Sequence, residues 1–342
     1  MTMGRAAGCS AEVLDGRDRA SISKAADILR GGGLVAFPTE TVYGLGADGL
    51  CQSAVEKIYE AKGRPKNNPL ILHVADVKAA VPLVADWPRM AQKLAEKYWP
   101  GPLTIILQAS GFVPDIVRAG NPTVALRCPA HPVALDLLRV FNGPLAAPSA
   151  NRTMELSPTK SEHVVKSLGG TVGLVLDGGP TSAGIESTII NLAEMPPRVL
   201  RPGPISISEL EEAIGPVAVF CGAVEQGATQ TAPGMSSRHY APKAKLSILA
   251  ADNFLEVMND LARGGDKFAA IFFGEGIPVP SDSCGCVIKR LPGDAKGAMA
   301  GIYAMLHDLD SIGCQRVLIQ EPPQSAEWLA IRDRLSRAAS KE

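Results

Sequence analysis

The chain has 342 residues, 46% of them hydrophobic, and its formal net charge at pH 7 is −1. This length favours two domains over one, and the apolar content excludes an intrinsically disordered chain. The near-neutral charge argues against a protein that binds mainly to nucleic acid or to an anionic membrane surface. The sequence contains no run of about 18 apolar residues that could span a bilayer, and its seven scattered cysteines indicate reduced thiols in a cytoplasmic protein.

The first part of the chain alternates short apolar runs with amphipathic runs, a pattern typical of an α/β fold. Residues 1–13 are predicted to form a loose tail. Helices are predicted over residues 21–30, 53–62, 76–84, 88–98 and 131–141. Strands are predicted over residues 34–37, 70–74, 103–107, 123–127, 145–147, 172–176, 187–192 and 198–200. Ser53 with Glu56, and Ser208 with Glu211, have the spacing of capping boxes and predict two helix starts.

Residues 222–243 carry no periodic pattern and are rich in Gly, Ala and Pro, which predicts a linker. Beyond them, strands predicted over 246–249, 268–273, 287–291 and 317–320 alternate with helices over 253–263, 295–309 and 326–338. Such alternation predicts a small α/β domain with a mostly parallel sheet. The predicted organisation is a first domain over residues 14–215, a linker over 216–243 and an accessory domain over 244–342.

Four cationic residues stand at the ends of predicted helices or strands: Lys62, Arg64, Arg127 and Arg201. Lys62 and Arg64 follow one another at a helix end that we expect to be exposed, where the helix dipole alone favours cations. Arg127 ends an otherwise apolar strand, so its guanidinium must find an anion from the protein or from a ligand. Four cations that converge on one site would suit a polyphosphate and a carboxylate.

Other local patterns give weaker signals. Residues 44–49, GLGADG, match the dinucleotide fingerprint, but six residues separate them from the preceding strand, so we interpret the glycines as part of a tightly turning loop. The sequence contains neither a P-loop nor a G-x-S-x-G nucleophile motif. Cys284 and Cys286 lack a second pair at zinc-site spacing, so we expect no metal site built from protein ligands.

Several segments together closely resemble the threonylcarbamoyl-AMP synthase family in its two-domain form. They are PTETVYGLG, KGRP, NNPLILHV, APSAN, ESTI, RPG and PGMSSRHYAP, in this order, within a match over about residues 14–243. The resemblance implies a YrdC-like domain, with a twisted mixed sheet and flanking helices, followed by a small Rossmann-like domain. It also implies condensation of L-threonine, bicarbonate or CO₂, and ATP into threonylcarbamoyl-AMP and pyrophosphate. A separate tRNA threonylcarbamoyltransferase would use the product to form N6-threonylcarbamoyladenosine on tRNA.

The same resemblance implies roles for individual residues. Lys62 and Arg64 would act in catalysis by holding the phosphates. The remaining residues implied for ATP are Asn68, Thr123, Ser149, Asn151, Ser157 and Arg201. The residues implied for threonine are Thr39, His73, Arg127, Ala147 and Ser187, with Arg127 on the carboxylate. Mg²⁺ is expected to arrive with ATP. We expect a cytoplasmic enzyme without a membrane partner, and direct contact with tRNA stays open.

The second half of the linker concentrates Arg238, His239 and Tyr240 between prolines, which a simple spacer does not need. We hypothesise a lid over the first domain, in which His239 or Tyr240 reaches the nucleotide and Arg238 anchors the closed position. The alternative is a tether packed on the second domain. Ser236 and Ser237 stand where relatives often carry bulkier side chains, so the detailed contacts of the lid stay open.

Two competing functions remain. Carbamoyltransferases of the hydrogenase-maturation type also contain a YrdC-like domain, but the acylphosphatase and zinc-finger segments that accompany it there are missing from this sequence. A non-catalytic RNA-binding module is the second alternative, and the near-neutral charge disfavours it.

Overall fold

The computed structural model describes residues 11–220, 222, 228–235, 240–264, 267–275 and 286–339. An 11-stranded mixed sheet, in the order β1-β8-β2-β3-β7-β4-β6-β5-β9-β10-β11, organises the first part of the chain. Its strands are β1 Glu12–Asp15, β2 Val35–Phe37, β3 Gly44–Asp48, β4 Ile71–His73, β5 Leu103–Gln108, β6 Thr123–Arg127, β7 Leu145–Ala146, β8 Leu174–Asp177, β9 Thr188–Asn191, β10 Arg198–Arg201 and β11 Ala218–Val219.

Helices flank this sheet because each carries an apolar stripe that must be buried. The helices are α1 Arg19–Arg30, α2 Gln52–Lys62, α3 Val77–Ala80, α4 Arg89–Tyr98, α5 Asp115–Arg118, α6 Pro132–Phe141, α7 Ser161–Leu168 and α8 Ile207–Ile214, with a 3-10 turn at Val81–Leu83. Helices α1 and α6 share one core with β2, β7 and β8. Helices α2 and α4 contribute to another core, with β3, β4 and β5. The predicted fold class of this part is confirmed.

A second sheet of four parallel strands, in the order β12-β15-β13-β14, follows the linker. Its strands are β12 Lys245–Leu249, β13 Phe268–Phe273, β14 Cys286–Leu291 and β15 Arg316–Gln320. Its helices are α9 Ala251–Gly264, α10 Ala295–Ser311 and α11 Leu329–Ala338, with a 3-10 turn at Ala326–Trp328. The predicted small α/β domain is confirmed, whereas the exact limits 14–215, 216–243 and 244–342 stay a prediction.

Three strands were not expected from the sequence: β1, β3 and the two-residue β11, which pairs in parallel with β10. Strand β1 lies partly in the predicted loose tail and pairs in parallel with β8. Strand β3 contains the glycines that we interpreted as a tightly turning loop, and that interpretation is wrong. Gly44 and Gly46 instead pair with β2, and a Cβ atom at Gly46 would lie 2.8 Å from the Phe37 ring. These glycines therefore allow close packing between neighbouring strands.

Of the two predicted capping boxes, the first does not form and the second is wrong in position. Helix α2 follows Cys51, whose side chain makes no capping hydrogen bond. Helix α8 does begin with a capping box, but Ser206 and Glu209 form it, two residues before the predicted pair. Helices α5 and α7 were missed, and they are only 4 and 8 residues long.

Candidate active site

A cavity of about 50 Å³ lies over one face of the large sheet. Ile71 and His73 of β4 line it together, because alternate residues of a strand point to the same face. The other lining residues come from the neighbouring strands, the loops that follow them and the linker. They are Thr39, Val42, Gly44, Arg64, Arg127, Ala147, Pro148, Ser149, Glu186, Ser187, Arg201, Pro233, Gly234 and Tyr240.

Lys62 and Arg64 are buried, with exposed fractions of 3% and 8%, so our expectation of an exposed helix end is wrong. Gly63 ends α2 in the left-handed conformation, with φ 60°, and turns the chain back toward the sheet. Lys62 Nζ donates to the carbonyl of Ser149 at 2.5 Å and to that of Asn151. Burial, with the nearby charge of Arg64, holds the pKa of Lys62 well below its usual value.

Asn68 orients Arg64 at the cavity wall. The Arg64 guanidinium donates to the Asn68 side-chain oxygen at 2.5 Å, to the Asn68 carbonyl at 3.1 Å and to the Pro69 carbonyl at 2.8 Å. Burial lowers the pKa of Arg64 to about 10. Because these partners are uncharged oxygens, they fix the guanidinium without neutralising it.

Arg127 finds its anion within the protein. Its Nη2 lies 2.8 Å from Oε1 of Glu40, and its Nε donates to the Gly101 carbonyl at 3.4 Å. Neighbouring His73 is buried, and within the described part of the chain its Nδ1 has no hydrogen-bond partner. Burial, and next the charge of Arg127, lower the pKa of His73 to about 3, so the imidazole is neutral near pH 7. The cavity therefore presents a cation beside a neutral imidazole.

Arg201 and Ser187 form a second polar cluster in the same wall. Arg201 donates to the Ser187 carbonyl through Nε at 3.1 Å and through Nη2 at 3.0 Å, and to the Ser187 hydroxyl at 3.1 Å. The Ser187 hydroxyl also lies 2.7 Å from that of Thr104. Arg201 is 4% exposed, so its planar group is fixed in the wall.

Described linker residues cover this face of the sheet, and we call residues 228–235 with Tyr240 the linker segment. Ala232 and Met235 are buried against apolar residues of the strands. Asn121 Nδ2 donates to the Gln230 carbonyl at 2.9 Å, and Arg201 Nη1 donates to the Pro233 carbonyl at 3.3 Å. Arg238 and His239, to which we assigned lid roles, lie outside the described residues, as do Ser236 and Ser237.

Comparisons with known proteins agree with this architecture. A family model described as "Telomere recombination" matches residues 27–203, and one described as "Threonylcarbamoyl-AMP synthase, C-terminal domain" matches residues 205–340. The threonylcarbamoyl-AMP synthase of Bacillus subtilis is 41% identical over 93% of this chain and 92% of its own length. The chain belongs to the threonylcarbamoyl-AMP synthase family.

Two comparisons with an archaeon extend this result. The threonylcarbamoyl-AMP synthase of Pyrococcus abyssi is 39% identical over 92% of this chain and 93% of its own length. The crystal structure of P. abyssi Sua5 complexed with L-threonine matches this fold with a TM-score of 0.88 and 37% identity, and the match covers 96% of this chain and 97% of that one. The resemblance and the fold class that we read from the sequence are therefore confirmed.

Most of the residues predicted for the site meet at the cavity. Those in its wall are Thr39, Arg64, His73, Arg127, Ala147, Ser149, Ser187, Arg201 and Tyr240. The Thr39 hydroxyl is already engaged in its own turn, where it donates to the Val42 carbonyl at 2.6 Å. Whether these residues bind substrate stays a prediction.

The other predicted residues lie outside the cavity wall. Lys62 and Asn68 stand behind Ser149 and Arg64, which they hold in place. The Asn151 side chain donates to the carbonyls of Arg152 and Glu155, each at 2.9 Å. Thr123 begins β6, four residues before Arg127, and the Ser157 hydroxyl donates to Glu186 at 2.5 Å.

Sequence reasoning missed two acidic residues, Glu40 and Glu186, although both lie in segments that carry the family resemblance. The requirement that a buried arginine must find an anion was the available signal for Glu40. Glu186 lines the cavity and lies 2.8 Å from Arg334 of the second domain. Burial alone would raise the pKa of Glu186, but the charges of Arg334 and Arg201 outweigh it and lower that pKa.

The described residues contain neither a membrane-spanning helix nor a cluster of metal ligands. In that part of the chain, no helix is both long and apolar enough to cross a membrane. The same residues contain no group of three or more His, Cys, Asp or Glu side chains with the arrangement of a metal site.

Proposed function

We propose that this chain is an L-threonylcarbamoyladenylate synthase, which condenses L-threonine, bicarbonate or CO₂, and ATP into threonylcarbamoyl-AMP and pyrophosphate. The observation that carries the proposal is the convergence of three buried arginines, Arg64, Arg127 and Arg201, on one cavity. The solved complex of the P. abyssi relative with L-threonine supports threonine as one substrate.

The charge balance of the cavity favours an anionic ligand. Among the described residues, no carboxylate oxygen lies within 4.0 Å of the side-chain nitrogens of Lys62, Arg64 or Arg201. Glu186 offsets part of the charge of Arg201 from beyond that distance, but Arg64 has no such partner in the described part of the chain. A buried cation without a counter-charge costs roughly 3–5 kcal/mol in measured cases. Phosphate oxygens of ATP would supply that counter-charge, and a planar guanidinium can bind them through two hydrogen bonds. We assign Arg64 and Arg201 to the phosphates.

Arg127 is assigned to the threonine carboxylate. Its pairing with Glu40 leaves further N–H donors, because a guanidinium has five. The unpartnered Nδ1 of neutral His73 and the hydroxyl of Ser187 supply polar groups for the amine and hydroxyl of threonine. The ion pair with Glu40 orients the guanidinium of Arg127, so the threonine carboxylate would meet a preorganised partner.

The reaction then needs positioning more than a protein nucleophile. The amine of threonine and CO₂ form a carbamate, whose oxygen attacks the α-phosphate while pyrophosphate leaves. Fixed cations stabilise the charge that develops on the phosphate, and two reactants held together avoid the entropic cost of their encounter. Mg²⁺ would bind with ATP and neutralise its phosphate oxygens.

The linker segment would act as the lid. The cavity has a volume of about 50 Å³. On the same measure one water molecule needs roughly 10–15 Å³, so the cavity holds only a few waters. We therefore propose that the linker segment moves away to admit ATP and closes again afterwards. Closure would exclude water from the carbamate and from the mixed anhydride, which both hydrolyse.

The product would pass to a tRNA threonylcarbamoyltransferase in the cytoplasm. A pyrophosphate-release assay tests the activity, with each of ATP, threonine and bicarbonate omitted in turn. We expect release only when all three are present. Release that persists without threonine, or that requires carbamoyl phosphate, would point instead to the carbamoyltransferase alternative. A chain that only binds RNA would release none.

A further inference from the structure

A row of polar side chains crosses neighbouring strands of the large sheet at the cavity. His73 of β4 pairs in register with Arg127 of β6, and both line the cavity. The antiparallel register of β5 with β6, continued by one residue, places Thr104 of β5 beside Arg127. Ser187 directly precedes β9, which pairs with β5 on its other side. Because residues that pair across a sheet point to the same face, Thr104 lies between Arg127 and Ser187 on the face of the cavity.

Thr104 is the member of this row that does not line the cavity. Its side chain is fully buried, and its hydroxyl oxygen lies 2.7 Å from that of Ser187. Within the described part of the chain, Ser187 is the only hydrogen-bond partner of the Thr104 side chain. Thr104 can therefore act on a ligand only through Ser187, which does line the cavity.

Arg201 fixes one contact of the Ser187 hydroxyl. A guanidinium only donates hydrogen bonds, so the Ser187 oxygen accepts from Nη2 of Arg201 at 3.1 Å. The same guanidinium donates to the Ser187 carbonyl through Nε at 3.1 Å and through Nη2 at 3.0 Å, which holds the residue in place. One lone pair and the single proton of the Ser187 hydroxyl remain, and they are shared between Thr104 and the cavity.

The burial of Thr104 decides where that proton points. If Ser187 donated to Thr104, the Thr104 proton would be buried with no acceptor among the described residues. Buried donors without an acceptor are unfavourable and rare, whereas an unfilled lone pair is tolerated more often. Thr104 therefore donates to Ser187, which fills both lone pairs of Ser187 and turns its proton toward the cavity. In this arrangement Ser187 offers a ligand only a donor, so it binds only an acceptor oxygen.

We propose that Thr104 is a positioning residue, which fixes Ser187 as a hydrogen-bond donor to the side-chain hydroxyl oxygen of threonine. The inference rests on the proposed function, because it concerns how that same site recognises threonine. With Arg127 on the carboxylate, the remaining oxygen of free L-threonine is its hydroxyl. An amino acid with the same carbon skeleton and no hydroxyl leaves the Ser187 proton without a partner, which disfavours its binding.

The test compares full-length Thr104→Val and Thr104→Ser with the wild type. Valine removes the hydroxyl, keeps nearly the same shape and suits a strand, whereas serine keeps the hydroxyl. The matched control is Thr188→Val, because Thr188 is equally buried but its hydroxyl donates to the Ile205 carbonyl at 2.8 Å, away from the cavity wall.

Calorimetric titration measures the Kd of L-threonine and that of L-2-aminobutyrate, which has the same carbons and lacks the hydroxyl. The ratio of the two Kd values is unaffected by a loss of stability, so a merely structural role of Thr104 would leave it unchanged. Steady-state assays add the KM for threonine and kcat for each variant.

We expect the wild type to bind threonine more tightly than 2-aminobutyrate. Thr104→Val should weaken threonine binding about 2–12-fold, the range of one net hydrogen bond, and leave the Kd of 2-aminobutyrate nearly unchanged. Its KM for threonine should rise with little change in kcat, as expected when uniform binding is lost. Thr104→Ser should keep the wild-type ratio of Kd values, and Thr188→Val should keep it while losing thermal stability.

A folded Thr104→Val with the wild-type ratio would overturn the proposal, as would a wild type that binds the two amino acids equally well. If Thr104→Val does not fold, Thr104→Cys replaces the hydroxyl by a weakly donating thiol. Its ratio should then fall below that of the wild type, and an unchanged ratio would again overturn the proposal.

The titrations need neither ATP nor bicarbonate, so they separate this inference from the proposed function. A wild type that prefers threonine but forms no threonylcarbamoyl-AMP would contradict the proposed function alone. An active enzyme whose preference for threonine survives Thr104→Val would contradict only the role of Thr104.

Discussion

Gly234 offers a direct way to open the lid. Its φ is +87°, a conformation that L side chains rarely adopt, and a Cβ atom there would lie 2.5 Å from the Tyr240 hydroxyl and 3.1 Å from Cδ of Arg201. We predict that Gly234→Ala displaces the linker segment from the cavity while both domains stay folded. The strain falls on a segment that can move, so it is relieved by opening rather than by unfolding.

The size of the effect follows from two costs. A left-handed conformation costs an alanine about 1–2 kcal/mol more than a glycine. Overlap with well-packed neighbours adds about 1–3 kcal/mol, which alone corresponds to a shift of roughly 5–150-fold in the population of the closed state. The matched control is Gly313→Ala, where φ is +74° and the added Cβ would have, apart from its chain neighbours, no heavy atom of a described residue within 4 Å. The control therefore carries the first cost without the second.

The assay is the yield of threonylcarbamoyl-AMP per pyrophosphate, together with the KM for threonine. Gly234→Ala should release pyrophosphate yet lose much of the product to hydrolysis, and its KM for threonine should rise. Gly313→Ala should keep the wild-type yield and lose only thermal stability. Equal behaviour of the two variants would refute the reasoning, because it would mean that the linker segment does not close the cavity during turnover.

Three further predictions concern substrate binding and pH. Arg64→Lys keeps the charge but loses the planar fork that Asn68 orients, so we expect kcat/KM to fall about 10²–10³-fold without loss of the fold; near-normal turnover would contradict the phosphate role. Serine should be used roughly 10–200-fold less well than threonine and valine about 10⁴-fold less well, because valine leaves buried polar groups unpaired. Competition assays measure this order, and valine used better than serine would exclude the assignment. His163, which stacks on His307 at 3.8 Å, has its pKa lowered to about 3 by burial and by His307. The unfolded chain binds that proton near pH 6.5 and the folded chain does not, so stability should fall as the pH drops below 6.5, by an amount that solvent screening of this half-buried ring reduces. Urea unfolding at pH 7 and pH 5 tests this, and His163→Gln should reduce the difference; an unchanged difference would count against the stacked pair as its source.

Elements with strong local periodicity could be predicted from the sequence. Strand β6 has its predicted bounds, and α4 and α6 begin within one residue of theirs. Strand β1 lacked a signal because three of its four residues are exposed, and β3 lacked one because its glycines resemble a loop. A local sequence pattern therefore predicts a helix or strand when the buried residues of that element recur at a regular spacing.

The burial of the site could not be predicted, because it depends on contacts between distant parts of the chain. Lys62 looked like a solvated helix end, but its partners Ser149 and Asn151 lie 87 and 89 residues further along. Arg334 and Glu186 are 148 residues apart. The family resemblance brought together most of the cavity residues, whereas their partners became visible only in three dimensions.

The central claim is that this cavity joins a threonine-derived carbamate to the α-phosphate of ATP. Mass spectrometry of the adduct formed from ATP, threonine and ¹³C-bicarbonate tests it most directly, with pyrophosphate measured in the same samples. We predict one labelled carbon in threonylcarbamoyl-AMP and adduct formation that rises in proportion to pyrophosphate. An adduct without the label, or cleavage of ATP to ADP and phosphate, would contradict the account.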